Sequence, residues 1–277
     1  MFVVGDSALT VADLTFVQQF ITAECGIVLD TTKKYLVETR LYDLARRLNT
    51  TSTEVIRRLR SPSEKVLRNE VVDALTTHET SFFRDQSVFD ALRTDLLPKL
   101  VAANAASKSI RIWSAACSTG QEVFSICMLL NEHFRGLPGW KVELLATDIS
   151  TQVVAKAQQG VFSQLEVNRG LPVQFLVKYF KQNGREWQLK DEIRTMPRFQ
   201  VLNLLSNLKS MGKFDLILCR NVLIYFEQPL KKQILEQLRG GLNPNGALFL
   251  GSAETVYNVC EGFSRAQSGK AVYYQAG

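Results

Sequence analysis

The stretch Ile110-Arg-Ile-Trp-Ser-Ala-Ala-Cys-Ser-Thr-Gly-Gln-Glu-Val-Phe-Ser125 combines a strand-forming run, a short loop with one glycine, and a helical pattern. Such a unit can hold a small ligand. Ile110, Ile112 and Trp113 supply the apolar strand, and Ser118 and Thr119 are placed to cap the helix. Gly120 allows close backbone approach, and Val123, Ile126, Leu129 and Leu130 have helical spacing. In open α/β sheets, ligands bind outside the carboxyl ends of the strands. A second apolar run, Val142-Glu-Leu-Leu-Ala-Thr-Asp148, ends on a carboxylate, where nucleoside-binding sheets place an acid for ribose hydroxyls. Together these features imply a nucleoside cofactor. A pyrophosphate needs G-x-G-x-x-G, and here Gly120 stands alone. The triphosphate loop G-x-x-x-x-G-K-[ST] is also absent, which leaves S-adenosylmethionine, an adenosine derivative without phosphate. An ordinary strand-turn-helix, with Asp148 merely capping a helix over 151–157, stays open on spacing alone.

The elements that must carry these residues follow from patterning. A chain of 277 residues can hold one large domain and a small one. No apolar run approaches membrane-spanning length, and the first residues lack the features of a secretory signal, so a soluble, cytoplasmic protein is expected. Five scattered cysteines without a C-x-x-C pair imply reduced thiols, with neither a disulfide framework nor a metal site.

The net charge of +6 is concentrated. Residues 33–68 carry ten basic side chains against four acidic ones, an excess equal to that of the whole chain. Such a region favours an anionic partner. Residues 1–77 read as a helical domain. Thr10 with Asp13 resembles a capping box, Gly26 stops the first helix, Thr51 with Glu54 opens the third, and Ser63 is expected to cap the fourth. A second helix over about 32–48 buries Val37, Leu41, Leu44 and Leu48, while Lys33, Arg40 and Arg47 recur every seven residues along another face. These cations form a basic ridge with Arg46 beside it.

Residues 78–277 alternate helix and strand, implying five parallel strands closed by an antiparallel hairpin over 263–275. An insertion at about 172–198 has an Asn183-Gly184 turn between alternating strands, with Ile193 to Met196 as an expected third strand of an antiparallel flap. Phe82, Phe83, Tyr179 and Phe226 read as core.

Seven blocks then resemble one family: Thr77-His-Glu-Thr-Ser-Phe-Phe-Arg84, Trp113 to Glu122, Ala146-Thr-Asp148, Arg169-Gly-Leu-Pro172, Tyr179-Phe180, Asn203-Leu204 and Cys219-Arg-Asn-Val-Leu-Ile-Tyr-Phe226. In order and over nearly the whole chain, they resemble the CheR chemotaxis receptor methyltransferases. The resemblance implies an α/β fold of the class I S-adenosylmethionine-dependent type, with a basic N-terminal domain that recognises receptors. It implies methyl transfer from S-adenosylmethionine to glutamate side chains on acidic chemoreceptor helices, releasing S-adenosylhomocysteine. His78, Thr80, Arg84, Glu122, Asp148, Asn203, Leu204, Arg220 and Asn221 are the implied cofactor residues. Arg84 and Tyr225 are implied to orient the substrate glutamate, and Lys33, Arg40, Arg46 and Arg47 to meet the receptor helix.

His78 and Gln121 stand where the family often has Asn and Glu. The flap also looks shorter than in relatives that dock a receptor's C-terminal pentapeptide, so a pentapeptide-independent enzyme is expected. The positive charge also suits a nucleic-acid methyltransferase. Enzymes acting on base amines carry Asn/Asp-Pro-Pro-Tyr/Phe after the fourth strand, however, whereas this chain has Arg220-Asn-Val-Leu-Ile-Tyr225. A cofactor-sensing adaptor without transfer activity is the non-enzymatic alternative. Neither nucleic-acid binding nor membrane insertion is expected.

Overall fold

The computed structural model describes residues 8–29, 34–134 and 139–277. Contacts divide the chain into two units, Met1–Thr77 with Tyr225–Leu230, and His78–Ile224 with Lys231–Gly277. The first contains α1 (Val11–Cys25), α2 (Lys34–Arg47), α3 (Ser52–Leu59) and α4 (Lys65–Leu75). Thr10 and Asp13 form the expected capping box, with Thr10 Oγ1 accepting from the Asp13 N–H at 3.1 Å and Asp13 Oδ2 accepting from the Thr10 N–H at 3.2 Å. Gly26 ends α1 at φ 74°, a left-handed cap that glycine adopts without strain. Thr51 caps α3, but Ser63 does not cap α4: Glu64 holds that position with its carboxylate turned to Arg58 rather than to the helix N–H groups, and Ser63 Oγ lies 2.8 Å from Ser61 Oγ. The faces bearing Val17 and Ile21, Val37 and Leu41, Val55 and Leu59, and Val71 and Leu75 are buried, which holds the helices together.

The second unit begins with α5 (Gln86–Ala91), which runs through a π-helical turn at Leu92–Leu96 into α6 (Leu97–Ala103). Then follow β1 (Ser109–Ala115), α7 (Gln121–His133), β2 (Lys141–Asp148), α8 (Thr151–Gln159), β3 (Val161–Ser163), α9 (Gln164–Asn168), α10 (Val173–Tyr179), β4 (Phe180–Asn183), β5 (Glu186–Leu189) and α11 (Asp191–Arg194). The chain continues with β6 (Pro197–Val201), β7 (Phe214–Cys219), α12 (Gln228–Gly240), β8 (Leu242–Leu250), β9 (Phe263–Ser268) and β10 (Ala271–Ala276). The main sheet has the order β6-β2-β1-β7-β8-β10-β9. The first five strands of that order are parallel, and the final hairpin is antiparallel, as the sequence implied.

Registration places the site. Ala115 pairs with Thr147 on one side and Cys219 on the other, and Cys219 pairs with Leu250. The strands therefore end level, and the residues that follow them emerge along one edge. From β1 the chain first builds outward through β2 and later crosses to β7, so the strand order reverses between β1 and β7. Ligands of open α/β sheets bind outside such a reversal. Every residue of β7 is buried, as expected for a strand with helices on both faces.

The flap differs from expectation in one strand. Its sheet has the order β3-β5-β4, so the third strand is Val161–Ser163 rather than Ile193 to Met196. Ile193 instead lies in α11, fully buried, while Asp191 and Arg194 pair at 2.8 Å along that turn. A short helix with an i,i+3 ion pair replaces the pleat there. Phe162 and Phe180 of the flap pack edge-on against Phe82 at centroid distances of 5.0 and 5.8 Å. Phe82, Phe83, Tyr179 and Phe226 are all buried, in keeping with their reading as core.

Candidate functional site at the carboxyl edge of the sheet

The loop after β1 is organised by Asp148, the last residue of β2. Asp148 Oδ2 accepts from the Ser118 N–H at 2.8 Å and Oδ1 from the Ser150 N–H at 3.0 Å. Burial raises the pKa of this carboxyl above the usual 3.8, against the opposing effect of those two N–H groups. The α8 cap is Ser150, whose side chain accepts from the Val153 N–H. Asp148 is therefore more than a helix cap: it bridges two loops at the sheet edge. Ser118 and Thr119 do not cap α7 as expected. Gly120 occupies that position at φ 93°, Ser118 Oγ donates to the His78 carbonyl at 2.7 Å, and Thr119 Oγ1 donates to Gln121 Oε1 at 2.8 Å. A Cβ on Gly120 would meet Phe124 at 2.8 Å, so the lone glycine serves close packing of loop against helix.

Three N–H groups of this loop point inward. Those of Cys117, Ser118 and Gly120 bond Thr147 O, Asp148 Oδ2 and Cys117 O. A phosphate-cradling loop would present such groups to its ligand. The donor set here suits a ligand without phosphates, with a carboxylate at the end of β2 for ribose hydroxyls.

A second cluster joins the loops after β1 and β7. Glu122, in the first turn of α7, accepts from Ser114 Oγ at 2.7 Å through Oε1 and from Arg220 Nη1 at 2.9 Å through Oε2. Arg220, its side chain 2% exposed, also donates through Nη2 to the Arg84 carbonyl at 2.7 Å and to Asp85 Oδ2 at 2.5 Å. Its Nε is buried without a partner. An unmatched donor among otherwise satisfied groups is a place for a polar ligand to complete.

Arg84 lies on the same loop, half-buried, and its Nη1 donates to the Glu79 carbonyl at 3.0 Å. Glu79 in turn pairs with Arg169, which holds the carboxyl of Glu79 below its usual pKa. Gly170 fixes this loop from the other side. At φ 86°, it approaches so closely that an added Cβ would lie 2.1 Å from Phe82 O. Thr80 and His78 are half-buried on the same segment. Leu204 is buried, and Asn203 closes a turn by accepting from the Leu205 N–H at 3.0 Å. Asn221 adopts φ 59°, and its N–H bonds Glu254 Oε2 at 2.8 Å.

The second unit thus brings His78, Arg84, Glu122, Asp148 and Arg220 into one linked edge. Tyr225 falls in the first unit, where its carbonyl accepts from the Val28 N–H at 2.9 Å. The ridge cations also belong there. Arg40 is engaged by α4, donating through Nη1 to the Leu75 and Thr76 carbonyls at 2.9 and 3.0 Å. Arg46 lies 5.8 Å from the Tyr42 ring centroid, Arg47 faces Glu70 at 4.0 Å, and Lys33 lies outside the described residues. Asp85, Ser114 and Glu254 are the additions that sequence reading missed, and Ser118 was read only as a cap. For Asp85 a signal existed, an acid directly after Arg84; the others are visible only through their bonds.

Among the described residues no His, Cys, Asp and Glu cluster could hold a metal, and no helix is long and apolar enough to cross a membrane. Residues 78–272 match the family described as CheR methyltransferase, SAM binding domain. The chemotaxis protein methyltransferase 1 of Pseudomonas aeruginosa is 39% identical over 96% of this chain and 98% of its own length. The chemotaxis protein methyltransferase Cher2 of Pseudomonas putida is 37% identical over 93% and 95%, and that of Vibrio parahaemolyticus 37% over 97% and 99%. These relatives do not favour nucleic acid as the substrate. The sheet edge, the phosphate-free loop and this likeness converge: the chain belongs to the CheR family of chemotaxis methyltransferases and is an enzyme that uses S-adenosylmethionine as its methyl donor.

Proposed function

We propose that this enzyme esterifies glutamate side chains on the acidic methylation helices of chemoreceptors, in the cytoplasm, as part of sensory adaptation. The observation that carries this reading is that every carboxylate of the edge already holds donors. Glu122 holds Ser114 and Arg220, Asp85 holds Arg220, Asp148 holds two N–H groups, and Glu254 holds backbone N–H groups. Each is committed to those donors. A glutamate carboxylate is already ionised at neutral pH and needs no general base. A hydroxyl or amine acceptor would need one.

When bound, S-adenosylmethionine would supply an electrophilic methyl group on a sulfonium, with S-adenosylhomocysteine as the leaving group. The protein's work is alignment and exclusion of water. Asp148 would accept from the ribose hydroxyls, Glu122 would border the methionine part, Asn203 and Leu204 the adenine, and His78, Thr80, Arg220 and Asn221 would complete the pocket. Arg84 would pair with the carboxylate of the methionine part and help to orient the incoming glutamate. A guanidinium can grip a carboxylate through two parallel bonds, so Arg84 provides geometry as well as charge.

Receptor recognition is assigned to the basic first unit. Arg46 and Arg47 are its proposed contacts for an acidic helix, beside Arg40, whose guanidinium already bonds α4 carbonyls. The short flap supports recognition without a pentapeptide tether. Incubation with labelled S-adenosylmethionine and a receptor cytoplasmic fragment tests the reading. Base-labile methyl esters on the fragment are expected, and label confined to nucleic acid or absent altogether would sink it. Arg84→Ala should lower kcat/KM about 100-fold, the scale of a misplaced reacting group. Full turnover at saturating cofactor would remove Arg84 from its orienting role.

A further inference from the structure

Glu254 lies in the loop after β8 and has no assigned role. Its Oε2 accepts from the Asn221 N–H at 2.8 Å and the Gly251 N–H at 2.6 Å, while Oε1 accepts from the Ile224 N–H at 3.3 Å. One carboxylate thus gathers backbone donors from both segments that leave the sheet beside each other, those after β7 and β8. The chain after β7 needs such an anchor. Asn221 is left-handed at φ 59°, and the sheet's own hydrogen bonds stop at the Cys219 and Leu250 pair. Gly251 keeps the space for the anchor: an added Cβ would meet Glu254 Oε2 at 2.7 Å and the Asn221 N at 2.8 Å.

The Asn221 N–H belongs to the peptide that begins at the Arg220 carbonyl. Holding that N–H fixes the peptide plane beside Arg220, and so the direction in which the buried guanidinium leaves the backbone toward Glu122 and Asp85. We infer that Glu254 is a positioning residue for methyl transfer, acting through the Arg220-Asn221 turn that it clamps to the end of β8. It touches neither reactant. The assignment rests on the reading that Arg220 and Asn221 border the cofactor.

A matched control exists on the same strand. Asp215, at the opposite end of β7, is a buried carboxylate where Glu254 is half-buried, and it likewise anchors neighbours, accepting from the Arg111 N–H at 2.7 Å and Asn243 Nδ2 at 2.9 Å. It anchors backbone away from the site. The test is calorimetric titration of S-adenosylhomocysteine into the full chain, with thermal unfolding followed in parallel, for Glu254→Ala, Glu254→Gln, Gly251→Ala, Asp215→Asn and Arg220→Met. Glu254→Ala and Gly251→Ala should weaken binding about 10- to 100-fold. Glu254→Gln keeps one oxygen for the Asn221 and Gly251 donors and should lose about 3-fold. Asp215→Asn should lower Tm while leaving the affinity unchanged.

If Glu254→Ala and Gly251→Ala bind as tightly as the Asp215→Asn control while Arg220→Met has lost binding, the positioning role is overturned and the cofactor reading stands. If Arg220→Met itself binds like the parent, the cofactor reading fails and takes this assignment with it. Should Glu254→Ala fail to fold, Glu254→Gln and Gly251→Ala decide the matter by the same affinities.

Discussion

The two ends of the parallel sheet are tied by similar chemistry and differ in how completely that chemistry is satisfied. At the amino ends of the strands, Arg111 bonds Glu143 at 2.9 Å, the Lys213 carbonyl at 2.6 Å and the Met211 carbonyl at 3.1 Å. Its guanidinium also lies 4.4 Å from the Phe214 ring centroid. Every branch of that cation has a partner. At the carboxyl ends, Arg220 is more deeply buried and yet keeps an unmatched Nε, and Asp148 is held in a place that disfavours its charge. Phe83, Asp85, Ala116, Ser118 and Asn221 take left-handed backbone angles in the loops of this edge. Such conformations cost about 1–3 kcal/mol each, and persist where surrounding structure over-determines them. Lys108 and Asn245, near the other end, do so as well, which makes the contrast one of degree. One end maximises stability, and the other holds polar groups ready for a ligand.

Removing the two arginines should break this contrast most visibly. Arg220→Met leaves the buried Glu122 without its cation, and the more exposed Asp85 without its own, so a loss of about 3–5 kcal/mol in unfolding free energy is expected. S-adenosylhomocysteine affinity should fall with it. Arg111→Met removes a cation whose side chain is 27% exposed, and should cost about 1–2 kcal/mol without changing that affinity. Denaturant unfolding and calorimetry on the two variants measure both quantities. Equal effects on affinity would erase the distinction between the ends.

Next in size is a pair of carboxyls on β2 with opposite pH behaviour. Burial raises the folded-state pKa of Asp148 above 3.8, so the folded protein holds that proton more tightly than the unfolded chain. Stability from this group is therefore lost as pH rises from about 3.8 through the raised folded value, and regained on acidification. Glu143 is lowered below 4.5, first by its hydrogen bond to Arg111. Its contribution is present above 4.5 and lost as pH falls through the folded value. Asp148→Asn should thus leave Tm at neutral pH within a few degrees of the parent, yet weaken S-adenosylhomocysteine about 10- to 100-fold by removing the charged acceptor. The acid-side decline in cofactor affinity should vanish in this variant. Glu143→Gln should lower Tm at neutral pH, with the difference closing as pH falls. Titration shifts of the two carboxyls by NMR would check both directions.

The smallest expected effect lies outside the sheet. Charge reversal at Arg46 and Arg47 should slow receptor methylation a few-fold at low salt and less at high salt, because exposed charges are screened over about 10 Å at 0.1 M. Binding of S-adenosylhomocysteine should not change. Rates independent of ionic strength would make these residues an ordinary solvated face.

The periodic parts of this chain were readable in advance. Alternation of apolar strands with helical runs, the capping box at Thr10 and the aspartate ending β2 follow from local rules, since helix periodicity, caps and strand burial depend on near neighbours. Several of the misreadings trace to distant partners, although Ser63 and Thr119 turn to Ser61 and Gln121 only two positions away. Ser63, Ser118 and Thr119 have the chemistry of caps, but Ser118 instead meets the His78 carbonyl, forty positions away in sequence. Ile193 to Met196 has strand character, yet the flap takes its third strand from Val161–Ser163 because Ile193 is buried in a helical turn. Arg40 looked like a ridge cation, and its partners are the last carbonyls of α4.

Sequence alone determined that an α/β sheet would end on Asp148 beside a one-glycine loop, and that the seven blocks belong to a CheR-like chain. Those features reside in residue types and short spacings. Only the tertiary structure decided that Glu122 and Asp85 share the buried Arg220, that the Cys117 and Ser118 N–H groups turn inward, and that Glu254 clamps two strand ends together. Each of these joins residues 30 or more positions apart, and which distant donor meets which acceptor is set by strand order and register, which no local pattern encodes.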